Sequence, residues 1–490
     1  MSQQSTTAIA IIGGGFSGAM VAVHLLRTAH QPLTIHLIEP RPKVGCGVAY
    51  STPLTCHLMN VPAGKISAFA DQPNHFLQWA QQISSIDGSA LNSAKADSGE
   101  LHPHSFVPRS LYGHYVQAVL AEAEATAPAG VRLERVIDEA VALESNGDRA
   151  TVFLQSGATI QAAQVVLALG NFPPRDPAIA DPSFYQSDRY IRSGWSAVDR
   201  SAFSADASVV LIGSGLTAVD WAIALHQQGH RGTIHLISRR GLLPQAHALP
   251  PVKQRATLSG LESNLNGLTV RTALRQIRQA ISEAEAHGQD WRSVMDSLRP
   301  LTNSIWQSLP PTEKRRFLRH LRPHWDIHRH RVAPAIAQIL EDMQRSGQLQ
   351  VHAGRIQAYV KRADEVDVIV CQRGSTALTT VKAGKVVNCT GSTGDYRHLT
   401  HPLIQQLLQS GFVQSNALAI GLKTAPNGAL VATDHTPLNW LYTLGSPRRG
   451  ELWETTAIPE IREQAQRLAR TLLQSISTLE RVTSPELTTC

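Results

Sequence analysis

The sequence predicts an α/β chain assembled from two copies of one strand–turn–helix–strand unit, and three observations predict it. The stretch TIHLIE at residues 34–39 returns almost letter for letter as TIHLIS at residues 233–238. IAIIGGGFSGAMVAVHLL precedes the first copy and VVLIGSGLTAVDWAIAL the second, each an apolar strand, a glycine turn and an apolar-rich helix. The turns begin at Gly13 and Gly213, 200 positions apart, and Glu39 and Ser238 follow those glycines by 26 and 25 residues.

The elements then follow in order. Residues 81–105 are polar and rich in Ser, Ala and Gly, and read as a surface loop. From Val131 a run of alternating strands closes on an apolar strand and Gly170, and a run of the same rhythm from Leu349 closes on Gly391. Between these, residues 242–340 show helical periodicity broken by prolines, including Pro310, Pro311, Pro323 and Pro334, and read as a helical insertion. NWLYTLGSP supplies a late strand, Ala457, Ile458 and Pro459 a helix start, and the chain from about Ser475 reads as frayed. The expected architecture is two Rossmann-like dinucleotide-binding domains with β-meander crossovers, the second inserted into the first. The expected ranges are 1–190, 191–370 with the insertion at about 242–340, and 371–490.

Bulk properties narrow the function classes. A chain of 490 residues with 42% apolar and 17% charged residues is long enough for two or three cores. No apolar run approaches a membrane span, and the N-terminal apolar segment leads into the glycine loop, so it reads as a strand and not a signal peptide. Five scattered cysteines include no C-x-x-C pair, which speaks against a disulfide framework or a cysteine zinc site and fits a reducing cytoplasm. The net charge is +7, and residues 311–331 alone carry seven basic against two acidic side chains. This local excess argues against a nucleic-acid-binding protein; the segment reads as a solvated helical face or as a surface for phosphate or an acidic ligand. His320, His324 and His328 recur at four-residue spacing, but Pro323 interrupts the helix that would align them, so no metal site is expected.

The strand ends differ, and the difference is chemical. In the first turn Gly13 permits the bend, Gly15 admits a pyrophosphate and Gly18 lets the helix pack closely, while Phe16 and Ser17 open a helix whose N–H groups face the phosphates. Glu39 can accept both hydroxyls of an unphosphorylated adenosine ribose. The second turn reads Gly213, Ser214, Gly215, and its strand ends on Ser238, Arg239 and Arg240. A serine hydroxyl and two guanidinium groups suit a 2′-phosphate, which a carboxylate would repel. The first site is therefore expected to hold FAD and the second NADPH. Val136, Gly170, Gly445, Trp453, Thr455 and Thr456 are the further candidates for holding the flavin nucleotide, with Trp453 equally readable as core.

At these residues the chain resembles the two-dinucleotide flavoproteins, and more narrowly a largely uncharacterised family of FAD/NAD(P)-binding proteins. The narrower resemblance rests on VGCGVAYSTPLTCHLMNVPAGKISAFADQPNHFLQWA, FVPRSLYGHYV, HWDIHRHRVAP and GSPRRGELWETTAIPEIREQA. More distantly the chain is similar to the flavin-dependent N-hydroxylating (class B) monooxygenases, which carry M-Q-x-x-x-x-K where this chain has Met59, Asn60 and Lys65. That resemblance implies an amide near the flavin at Asn60 and a contact from Lys65 to a substrate carboxylate. Arg192 stands where those enzymes carry a histidine. Gly445 and Ser446 stand where disulfide reductases carry a Gly-Asp pair, which with the missing cysteine pair speaks against disulfide reduction.

The resulting expectation is an FAD- and NADPH-dependent oxidoreductase. The resemblance implies a monooxygenase that uses O2 through a C4a-hydroperoxyflavin to oxygenate nitrogen or sulfur of a small, carboxylate-bearing substrate. The alternatives are a reductase or dehydrogenase passing electrons to a quinone or protein acceptor, and a non-enzymatic flavin redox sensor.

Overall fold

The computed structural model describes residues 7–86, 101–147, 149–196, 203–248, 258, 265 and 267–483. The chain divides into two compact units, one of residues 1–53, 63–171 and 394–490 and the other of residues 54–62 and 172–393.

The first unit begins with β1 (Thr7–Ile12), helix α1 (Phe16–Thr28) and β2 (Leu33–Ile38), followed by helices α2 (His75–Ile86) and α3 (Arg109–Ala125). β3 (Val131–Val136) precedes a three-stranded antiparallel sheet of β4 (Ala140–Ser145), β5 (Ala150–Leu154) and β6 (Thr159–Ala162), and β7 (Gln164–Leu167) follows. In the second unit the strands are β8 (Tyr190–Ile191), β9 (Val209–Ile212), β10 (Ile234–Ser238), β11 (Leu349–Lys361), β12 (Val366–Gln372), β13 (Leu378–Ala383) and β14 (Lys385–Asn388), with helix α4 (Leu216–Gln227) after β9. The chain then returns to the first unit with β15 (Ala429–Val431) and β16 (Pro437–Thr443).

Each unit is a doubly wound layer around mostly parallel strands. The first sheet has the order β15-β16-β7-β1-β2-β3, and the second β13-β12-β11-β10-β9-β14-β8. Central strands buried on both faces should be continuous apolar runs, and IAII and VVLI are such runs with every residue inside. The antiparallel additions differ between the copies. In the first unit the chain breaks at residues 137–139, and the meander forms a separate sheet. In the second, β11 runs unbroken for 13 residues, parallel to β10 over its first part and antiparallel to β12 over the rest.

Four expectations are corrected. The changeovers between units fall at 171/172 and 393/394, not at 190 and 370, because β14 pairs in parallel with β9 and so belongs to the inserted sheet. Residues 54–62 also fall in that unit. Within the expected 81–105 loop, residues 81–86 continue α2, and Gln81 Nε2 donates to the Leu101 carbonyl at 2.9 Å; residues 87–100 lie outside the described residues. The last helix, Ile458–Thr483, passes the expected fraying point because its apolar face continues through buried Leu472 and Ile476. The insertion forms helices from Val270 to Arg345, and the basic stretch is broken between Pro311–His320 and Arg322–Arg329, with Pro323 in the first turn of the latter. It is not uniformly solvated: Arg331 is buried against Asp296, and buried Glu313 pairs with Arg316 at 2.5 Å.

α1 packs between α3 and the C-terminal helix and carries one titratable group into the core. His24 is 7% exposed, and its Nε2 finds no hydrogen-bond partner among the described residues. Burial first, and Arg27 second, lower its pKa from 6.5 to about 4. The unfolded chain therefore binds the proton more tightly. Stability is full above pH 6.5 and falls as the pH drops toward 4. About 3 kcal/mol should be lost across that window by urea unfolding at several pH values, and His24→Leu should flatten that part of the profile.

Candidate dinucleotide sites

The first site lies at the carboxyl ends of parallel strands, where open α/β sheets bind ligands. Gly13 follows β1, Glu39 follows β2, Val136 ends β3, Gly170 stands three residues past β7, and Gly445 two past β16. The glycines are forced. Gly13 has φ +104°, and a Cβ there would stand 2.4 Å from the Ala168 carbonyl oxygen; a Cβ on Gly18 would stand 1.9 Å from the Gly13 oxygen. The N-terminus of α1 at Phe16 and Ser17 has no capping side-chain hydrogen bond and no acid in its first turn, so its N–H groups suit an anion. A Cβ on Gly445 would lie 3.4 Å from Ser17 Oγ, which brings the late strand to the same helix end.

Glu39 is 3% exposed. Its Oε2 accepts the Gly14 N–H at 2.8 Å, and its Oε1 accepts the Arg41 backbone N–H at 3.2 Å and the Arg41 Nε–H at 2.7 Å. Arg41 Nη2 adds a fourth donor, to Oε2 at 3.2 Å, so the roughly four acceptor positions of the carboxylate are engaged and a ribose hydroxyl would take the place of an Arg41 contact. Val136 holds the strand tip through its carbonyl, which accepts the Glu39 N–H at 2.9 Å. Around the turn lies a second glycine loop that the sequence reading quoted without assigning a role. The Gly45 N–H donates to the Gly14 carbonyl at 2.7 Å, and Gly47 approaches Gly15 so closely that a Cβ on Gly15 would be 3.3 Å from its Cα. Two glycines spaced i, i+2 in VGCGVAY were the available signal.

The C-terminal candidates separate. Thr455 is fully buried; its hydroxyl donates to the Gly445 carbonyl at 3.1 Å and accepts from Gln464 Nε2 at 2.9 Å, so it shapes the loop after β16. Trp453 is 4% exposed, has φ +58°, and carries the Arg449 guanidinium 4.7 Å above its ring. Thr456 is exposed, as is Gly170, which has φ +64° and open space where a Cβ would stand.

The second site repeats the plan. Gly213 has φ +111°, a Cβ on Gly215 would meet open space, and the N-terminus of α4 likewise has no capping side chain and no acid in its first turn. Ser214 Oγ lies 2.8 Å from Ser238 Oγ and 2.6 Å from the Leu242 carbonyl, while Ser238 Oγ accepts the Gly241 N–H at 3.0 Å. The two serines thus tie the turn to the strand tip. Arg240 Nη2 donates to the His320 carbonyl at 3.1 Å, and its Nη1 lies 3.3 Å from His324 Nε2. Arg239 is held below the usual arginine range by partial burial of its guanidinium first, then by the fields of Arg322, Arg355 and Arg240. The fields of Arg322 and Arg355 thus reach Arg239 beside that of Arg240, which sequence spacing did not reveal. No group of three or more metal-ligating side chains occurs among the described residues.

Asn60 and Lys65 fall in different units. Met59 and Asn60, with Cys56 and Leu58, line a cavity against Leu216, Val219 and Asp220 of α4 and Val332, Ala333 and Ile336. Two histidines not singled out from sequence pin this segment: His247 Nε2 lies 2.9 Å from the Asn60 carbonyl, and buried His57 Nε2 lies 3.3 Å from the Asp220 carbonyl. Lys65 is exposed at the end of the turn Ala63–Lys65, which is fixed by Ala63 N–H to the Ser105 carbonyl and Gly64 N–H to the Pro103 carbonyl, both 2.8 Å. Arg192, in the histidine's place, pairs with Asp176 at 3.3 Å and donates to the Tyr185 carbonyl at 3.2 Å.

The two units share the α/β architecture of flavoproteins that carry two dinucleotide-binding domains. Residues 10–172 match the family model described as FAD-NAD(P)-binding. Over 270 residues the chain is 27% identical to nitrosuccinic acid synthase of Aspergillus oryzae (49% of this chain, 41% of the relative). Over 200 residues it is 29% identical to the nitrosuccinate-forming L-aspartate N-monooxygenase of Streptomyces davaonensis (35% and 31%). A ferredoxin–NADP reductase of Paraburkholderia xenovorans is 29% identical over 219 residues (43% and 58%). The matches thus span less than half the length of the first two relatives. Among solved structures, L-lysine 6-monooxygenase from Pseudomonas syringae superposes with a TM-score of 0.62 at 15% identity (96% of this chain, 100% of that one). Ornithine hydroxylase from Pseudomonas aeruginosa gives 0.61 at 13% (96% and 99%). At those identities the likeness is one of fold. No helix among the described residues is long and apolar enough to cross a membrane.

Proposed function

We propose that this chain is an FAD- and NADPH-dependent monooxygenase that oxygenates the nitrogen of a small, carboxylate-bearing amine. The observation that carries the reading is the contrast between two similar glycine turns, one bonded to the buried carboxylate of Glu39 and the other tied to Ser238, which Arg239 and Arg240 follow in sequence. Gly13, Gly15 and the α1 N-terminus would hold the FAD pyrophosphate, and Glu39 the adenosine ribose. Gly213, Gly215 and the α4 N-terminus would hold the NADPH pyrophosphate. When bound, the flavin accepts a hydride from NADPH and activates O2. The names of the two aspartate-oxidising relatives support an amino-acid-like substrate.

The protein's own part is to bind and orient. Lys65, on its pinned turn, would hold the substrate carboxylate, and the Asn60 amide would hydrogen-bond near the reacting groups. Misplacement of a reacting atom by about 1 Å can cost roughly a hundredfold in rate. Lys65→Ala should leave NADPH-driven flavin reduction unchanged, raise the substrate KM roughly tenfold to a hundredfold, and divert turnover to H2O2. A slowed reduction step would instead place Lys65 at the nicotinamide.

The test of the reaction class is NADPH oxidation and product formation with aspartate and a panel of other small amino acids under isotopically labelled O2. Label in an N-oxygenated product supports the reading. The ferredoxin reductase match keeps one rival specific: electron transfer to ferredoxin or a quinone with no labelled product would replace oxygenation by a reductase function.

A further inference from the structure

We propose that the 2′-phosphate of NADPH is held by a clamp built from three chain segments, in which Arg322 of the helical insertion and Arg355 of β11 act beside Arg239 and Arg240. This rests on the NADPH reading of the second site and adds the residues that set its specificity. The segments are brought together by backbone geometry. β10 and β11 run parallel with Ser238 opposite Ala353, the last pair of their register, so Arg239 follows one member of that pair in sequence and Arg355 stands two residues past the other. A Cβ on Gly241 would stand 3.1 Å from that of Ala353, so the chain turns over the same strand end. The insertion arrives through Arg240, whose guanidinium reaches the His320 carbonyl and His324. Next along the chain, Arg322 has its Nε 3.4 Å from Asp326 Oδ2.

The charge balance says what such an arrangement takes. Arg239 lies in the combined fields of Arg322, Arg355 and Arg240, with Asp326 as the acid acting on it. Like charges gathered at one strand tip repel one another, and a phosphomonoester carrying about −1.5 to −2 charges relieves that repulsion. Arg240 is oriented before any ligand arrives, since two of its N–H positions are engaged, and the remaining donors can take phosphate oxygens with little further ordering. His324 acts as a positioning residue through Arg240. Because Arg239 and Arg355 are exposed, a ligand reaches the cluster from solvent. The insertion thereby becomes a determinant of cofactor choice.

The experiment is calorimetric titration of the full-length protein with 2′,5′-ADP and with 5′-AMP, using the ratio of the two Kd values as readout. Wild type should favour 2′,5′-ADP. Arg322→Ala and Arg355→Ala should each cut the ratio about tenfold, Arg322→Lys and Arg355→Lys should retain most of it, and His324→Gln should cost less than His324→Ala. Comparing two ligands in one variant separates recognition from folding, because a damaged fold weakens both. If Arg239→Ala with Arg240→Ala collapses the ratio while Arg322→Ala and Arg355→Ala leave it unchanged or weaken both ligands equally, the clamp is wrong and the NADPH reading stands. If wild type shows no preference, the NADPH reading itself fails.

Discussion

Replacing Arg239 and Arg240 together by alanine is expected to weaken NADPH binding by about 2–4 kcal/mol, roughly 30- to 1000-fold, with little change for NADH. Each guanidinium can make a charge-assisted contact to a phosphate, whereas NADH presents a ribose hydroxyl there. Both arginines follow the last residues of β10, whose tip is fixed independently by the Ser214–Ser238 contact and the Gly241 N–H. The substitutions should therefore leave the turn intact. Steady-state kinetics and equilibrium binding with both nucleotides check this. Equal losses for NADPH and NADH would mean that the arginines shape the fold and do not read the phosphate.

Glu39→Ala is expected to weaken FAD retention by about 2–3 kcal/mol, seen as substoichiometric flavin after purification and a raised Kd on reconstitution. Two effects add. The ribose loses its acceptor, and the Gly14 N–H, held at 2.8 Å by Oε2, loses its partner inside the glycine turn. Glu39→Gln should be milder, since one carbonyl oxygen remains. Released flavin should be FAD; recovery of FMN, which has no adenosine for Glu39 to hold, would sink the assignment of this end of the sheet.

The parts of this architecture that were legible in the sequence are those set by local patterns. Apolar runs ending in glycine identified β1 and β9, and the acid or the arginines after the next strand distinguish the two tips. At Thr455 pattern reading gives a place after the last strand but not the partners of its hydroxyl, which are the Gly445 carbonyl and Gln464. The changeover near residue 393 was hidden because β14 belongs to its sheet through a parallel partner, β9, far away in sequence. The fields of Arg322 and Arg355 on Arg239 were hidden for the same reason. Arg355 and Arg322 are more than 80 positions from Arg239, and only the β10–β11 register and the Arg240–His320 contact bring those segments to one strand end. Helix α2 runs past Gln81, whose side-chain amide donates to the Leu101 carbonyl, a contact that composition cannot show.

The central claim is that the two strand tips sort the cofactors, FAD at Glu39 and NADPH at Arg239 and Arg240. Anaerobic stopped-flow reduction of the FAD-loaded protein by NADPH and by NADH tests it most directly. The account predicts that NADPH bleaches the flavin at concentrations roughly 30-fold or more below those NADH requires. Equal reduction by the two nucleotides, or no reduction by either, would contradict it.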